Sequence, residues 1–99
     1  MKVKAGVDLT NMSPKAIQVV ALAAPLWTAL GEEIVVTSGR EGNHMKGSKH
    51  YLGEAIDFRT RYFPDSVKRA LAVCLQHRLG DAYDVVVEST HIHVEYDPD

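Results

Sequence analysis

Two short stretches of this chain alternate with period two and carry different chemistry on their two faces. In "EAIDFRT", residues 54–60, Ile56 and Phe58 point one way while Ala55, Asp57 and Arg59 point the other. In "HIHVEY", residues 91–96, Ile92 and Val94 share one side, and His91, His93 and Glu95 share the opposite one. Strands that bury one row and align carboxylates and imidazoles in the other leave few folds open. They call for a sheet with one apolar face packed on helices and one face lined by ionisable groups.

The remaining sequence supplies those helices. Ser13-Pro14 is a helix start, with a hydroxyl at the cap and proline at the first helical position, and Gly31 follows a run that reaches about Leu30. Pro25 inside that run is expected to kink or split it. No charge follows Lys15 within it, so most of its circumference is expected to be buried. "EEIVVTS" reads as a strand from Glu33 to Ser38, and "GREGNHMKGS" as a long loop. "PDSVKRALAVCLQHRLG" reads as a second helix capped by Asp65 or Ser66, closed by Gly80, with Val67, Ala70, Leu71, Cys74, Leu75 and Leu79 on its apolar face. "YDVVVES" and "HIHVEY" read as two strands, or as one strand broken near Ser89-Thr90. The order helix, strand, loop, strand, helix, strand, strand predicts a small α+β domain, with an antiparallel sheet packed against two or three helices.

Bulk composition excludes more than it assigns. The chain of 99 residues is one domain, and a formal charge of -2 gives no electrostatic reason to expect nucleic acid or an anionic membrane as partner. "IQVVALAAPLW" is shorter than the roughly 20 apolar residues a bilayer span needs, and it reads as structure rather than a signal peptide. Cys74 is the single cysteine, so no internal disulfide forms. His77 is explained by the dipole at the end of its helix, Cys74 and Trp27 by packing. A monomer is expected.

The ionisable faces are where chemistry can reside. His91 and His93 project from one side of their strand, Asp57 projects from its own, and His50 comes from the loop before it, with Gly53 permitting the turn back. His, Asp and His together leave a fourth position for water, the pattern of a catalytic rather than a structural zinc site. Imidazole nitrogen also suits Cu, Ni or Fe(II), so the donor set leaves the metal open. Taken singly, each residue has a plainer explanation: a solvated histidine face, or an Asp57 paired with Arg40 or Arg59. Together, on faces turned from the core, they favour a site.

"SKHYLGEAID" resembles the Ser-x-His-x-x-Gly-x-Ala-x-Asp pattern of the M15 zinc peptidases, the group of D-Ala-D-Ala carboxypeptidases and phage endolysins, and "HIH" resembles their His-x-His motif. The same pair of motifs occurs in the hedgehog signalling domain. The resemblance spans roughly residues 35 to 96 and matches at Ser48, His50, Gly53, Ala55 and Asp57. It implies one Zn2+ held by His50, Asp57 and a third ligand. By the His-x-His pattern that ligand is His93, with His91 assisting catalysis; by a Glu-x-x-His pattern it is His91, after Glu88. His93 is favoured because it lies well inside its strand.

The resemblance also implies Glu88 as general base for the attacking water, with Glu95 a rival that is more simply paired with a surface cation. Arg40 would hold an oxyanion or a substrate carboxylate, His44 would orient substrate, and Ser48 would bond the loop backbone or set a ligand's tautomer. The implied activity is amide hydrolysis in peptidoglycan stem peptides or cross-bridges, at a D-Ala-D-Ala or an L-Ala-D-Glu bond. The implied setting is synthesis in the cytoplasm and action on the cell wall after release or as part of a virion. The alternative is a non-catalytic zinc-bearing domain of the hedgehog-like kind.

Overall fold

The computed structural model describes residues 1–41, 48–50 and 52–98. In chain order its elements are β1 (Lys2–Val3), α1 (Pro14–Ala29), β2 (Val35–Ser38), β3 (Ala55–Arg59), α2 (Asp65–Leu79), β4 (Tyr83–Val87) and β5 (His91–Tyr96). The five strands form one sheet in the order β1-β2-β3-β5-β4. Three of its pairings are antiparallel, as the sequence predicts, but β1 joins β2 in parallel, so the sheet is mixed. That added strand is two residues long and carries no periodic signal. The fold is α+β with two helices, and a radius of gyration of 12.4 Å matches one packed body of this length, about 13 Å.

Alternation along β3 and β5 sorts the sheet into two faces. Ile56, Phe58, Ile92 and Val94 enter the core against Ala16, Val19, Ala23 and Trp27 of α1 and Leu71 and Leu75 of α2. Trp27 and Phe58 are fully buried with ring centroids 5.5 Å apart, and the indole Nε1 donates to the Arg59 carbonyl at 3.0 Å. This ties α1 to the end of β3 that leads out of the ionisable row.

Both helices differ from expectation in how they are buried. Helix α1 is continuous through Pro25, and only its 16-19-23-27 stripe is covered, while Ile17, Leu22 and Leu30 are exposed. A helix on one side of a sheet has a free outer surface, whatever its charge. Helix α2 buries Lys68, Leu71, Ala72 and Leu75, while Ala70 and Cys74 are exposed, which corrects their placement on the buried face. Its cap position is Pro64, with no side-chain capping bond, rather than Asp65 or Ser66. The stripe turns toward Lys68 because that side chain has a use: its Nζ donates to the Ser89 carbonyl at 2.7 Å in the β4–β5 hairpin. Thr60 N donates to the neighbouring Thr90 carbonyl at 3.0 Å, so the hairpin tip is held from two sides. Among the described residues no helix is long and apolar enough to cross a membrane.

Candidate metal centre

Register places the ionisable row. Asp57 pairs with His93 and Arg59 with His91 across β3 and β5, so the four side chains stand on one face in two adjacent pairs. His50 arrives from the turn before β3. Gly53 makes that turn with φ +72°, its N–H donating to the His50 carbonyl at 3.1 Å, and its missing Cβ leaves room for the Asn11 carbonyl. Ser48 Oγ accepts the His50 N–H at 3.2 Å, so of its two expected roles it fills the one toward loop backbone.

Three donor atoms meet. His93 Nδ1 lies 2.8 Å from Asp57 Oδ1 and 3.1 Å from His50 Nε2, and His50 Nε2 lies 3.3 Å from Asp57 Oδ1. Donors about 2.0–2.2 Å from a tetrahedral ion stand about 3.3 Å from one another, so these spacings fit a shared metal with small outward movement. His50 and Asp57 are buried, at 4% and 7% exposure, and His93 is half-buried.

The outer nitrogens decide what the inner ones offer. His50 Nδ1 faces the Gly39 carbonyl at 2.8 Å, and His93 Nε2 faces Glu95 Oε1 at 2.8 Å. Each partner can only accept, so each outer nitrogen carries the hydrogen. In the neutral rings, His50 Nε2 and His93 Nδ1 then present lone pairs to each other and to a carboxylate. Three acceptors within 3.3 Å require a cation between them, a proton or a metal. The cluster could bind a metal ion.

The charges agree with this geometry. Burial would raise the Asp57 carboxyl, but hydrogen bonds from His50 and His93 and their positive charge outweigh it and bring it from 3.8 down to about 2. The hydrogen bond to Asp57 raises His93 against the opposing effect of burial, and with the bond to Glu95 and both carboxylate charges the ring is pushed up from 6.5 to about 9. Without a metal, the cluster keeps its own proton on His93.

Of the groups that accept from the outer ring nitrogens, the residue string shows only one. Glu95, expected to pair with a surface cation, instead accepts from His93, and the His-x-His-x-Glu alternation puts it on the right face to do so. The Gly39 carbonyl has no side-chain signature at all. It is aimed by Glu41, whose carboxylate accepts from the N–H groups of Asp8 and Gly39 at 2.8 Å and from Ser38 Oγ at 2.9 Å. A Cβ on Gly39 would overlap the Asp8 carbonyl, which is why this corner needs glycine.

The other candidates are placed as follows. His91 Nε2 lies 3.6 Å from Asp57 Oδ2, beside the cluster but on the outer carboxylate oxygen, and its Nδ1 is 3.1 Å from Thr90 Oγ1. Glu88 stands opposite His91, its N–H donating to the His91 carbonyl at 2.9 Å, and is exposed at the hairpin tip with no side-chain bond among the described residues. Arg40 turns aside, its guanidinium 3.5 Å from the Thr10 carbonyl, and the Asp8 carboxyl is lowered first by the hydrogen bonds from Thr10 and to a lesser extent by the charge of Arg40. Asp57 therefore pairs with histidines and with neither arginine. His44 lies outside the described residues. No protein-family model matches the chain, and no curated protein matches its sequence.

Proposed function

We propose that this chain is a zinc-dependent peptidase of the cell-wall-lytic kind, hydrolysing amide bonds in peptidoglycan peptides. The observation that carries the reading is the meeting of His50 Nε2, Asp57 Oδ1 and His93 Nδ1, with both outer ring nitrogens fixed by acceptors. Two imidazoles, one carboxylate and no thiolate are the protein half of a catalytic zinc site. A zinc ion bound there would polarise an amide carbonyl and lower the pKa of water towards about 7.

The chain's own residues supply the rest. Asp57 supplies negative charge at the cluster, His50 and His93 would offer neutral ring nitrogens to the ion, and Glu95 and the Gly39 carbonyl keep the rings from rotating. His91, next to the cluster on the same face, can carry a proton between the attacking water and the leaving amine. Glu88 faces the same side one strand out and is the second candidate for that task. The cell-wall substrate comes from the sequence resemblance alone, through Ser48, His50, Gly53, Ala55, Asp57 and the His91-x-His93 pair.

The exposure of Glu88, bonded to nothing in the cluster, favours a second reading: a zinc-bearing binding domain without catalysis. Two measurements separate the possibilities. Purified protein should carry one zinc per chain, and purified peptidoglycan incubated with it should release free amines. Zinc without amine release selects the binding domain, and protein that takes up no zinc overturns both readings.

A further inference from the structure

Beside Asp57 and His91 the sheet face opens into a cleft of about 330 Å³, whose lining also includes Lys4, Arg59 and Arg61. Arg59 is fixed there by register, two residues beyond Asp57 on β3 and directly across from His91. Lys4 follows the short parallel strand, its N–H donating to the Val36 carbonyl at 2.9 Å, so β1 has the effect of bringing a cation to this face. Arg61 leaves the turn after β3. None of the three forms an ion pair among the described residues. Glu32 shares the surroundings of Tyr62 with both arginines and bonds neither. Three cations with no ion pair among the described residues, around one concavity that also contains Asp57 and His91, make a field that draws an anion to that spot.

We propose that this cleft binds a carboxylate of the substrate, with Arg59 as the specificity-determining residue and Lys4 and Arg61 in support. The proposal rests on the peptidase reading for the position of the scissile amide, which would lie at the His50–Asp57–His93 cluster. The cleft adjoins that cluster through Asp57, so the carboxylate belongs to the residue next to the scissile bond. Arginine suits the task because its planar fork meets both carboxylate oxygens. The shared chemistry has two sources, a chain-terminal carboxylate or the free α-carboxylate of a glutamate linked through its side chain.

The test is binding by zinc-loaded protein, followed by NMR titration, and needs no turnover. The probes are N-acetyl-D-alanine, its methylamide, and L-alanyl-D-glutamate with its γ-carboxyl amidated and its α-carboxylate free. At least one carboxylate probe is expected to bind about tenfold or more tightly than the methylamide. Arg59→Gln should remove that preference, Arg59→Lys should restore part of it, and zinc content should stay at one per chain. Arg61→Gln, at an exposed turn, should weaken it more mildly and guards against a folding defect at position 59. Equal binding of carboxylate and amide, absence of binding by all probes, an unaltered preference in Arg59→Gln, or stronger binding of inorganic phosphate than of either carboxylate would each overturn the proposal. Failure to digest peptidoglycan would sink the peptidase reading and leave this result standing.

Discussion

Glu95 offers the sharpest handle on the site, because it touches the metal donors only through His93. Its Oε1 accepts the His93 Nε2–H at 2.8 Å, and that bond fixes both the ring's orientation and which nitrogen carries the lone pair. Glu95→Gln keeps an oxygen of the same reach but removes the charge that strengthens the bond. Loss of an orienting carboxylate lowers metal affinity by about 10–100-fold. Because the amide oxygen still accepts, the lower end applies, about tenfold or about 1.4 kcal/mol. Glu95→Ala leaves no acceptor and should approach about 100-fold. Zinc affinity measured by competition with a chromophoric chelator reads both. Stability of the metal-free protein is measured alongside, since Glu95 both bonds the His93 ring and lies close to the carboxylates of Asp84 and Asp97. Zinc affinity within twofold of wild type for both variants would refute His93 as a ligand, and the reasoning built on its ring with it.

Further consequences can be checked singly. His93→Ala should abolish stoichiometric zinc binding, whereas His91→Ala should keep the zinc and slow amide release by about 10²–10⁴-fold; the reverse pattern would make His91 the third ligand. Zinc must displace the proton that His93 holds with a pKa of about 9, so affinity should rise about tenfold per pH unit between pH 7 and 8.5, seen by the same competition assay at each pH. Without metal the sign differs. The raised His93 contributes stability below pH 6.5 that is lost as pH climbs through about 9, and denaturant midpoints should fall across that window. Gly39→Ala should cost about 1–3 kcal/mol of stability and weaken zinc binding, because its Cβ would push the Asp8 carbonyl and move the acceptor of His50. Thr60→Val should raise stability by about 1 kcal/mol in chemical denaturation, since the buried Thr60 hydroxyl has no hydrogen-bond partner among the described residues.

What the sequence carried well was alternation. Period-two patterning assigned the faces of β3 and β5, and with them the row on which Asp57, His91 and His93 stand, because a one-residue error would have buried every charge. Alternation alone does not say which histidine joins the cluster, since both share that face, and only its place well inside the strand favoured His93. Register decides, setting His93 opposite Asp57 and His91 opposite Arg59. Main-chain partners leave no mark in the residue string either: the Gly39 carbonyl and the clamp of N–H groups on Glu41 are contacts of backbone, and only a glycine hints at them. The burial of α2 misled for a related reason. Cys74 fits a helical apolar stripe, yet Lys68 is buried in its stead because its ammonium reaches a carbonyl that no periodicity encodes.

The Asp8 carbonyl accepts from Arg40 N while the Asp8 N–H is held by Glu41, so the chain's first ten residues are splinted to the corner that holds the His50 ring. An affinity tag or trimmed start would therefore reach the His50 ring from more than forty positions away in sequence. A variant in which the His50 ring has lost its place is reason to inspect residues 1–8 before suspecting the neighbouring side chains.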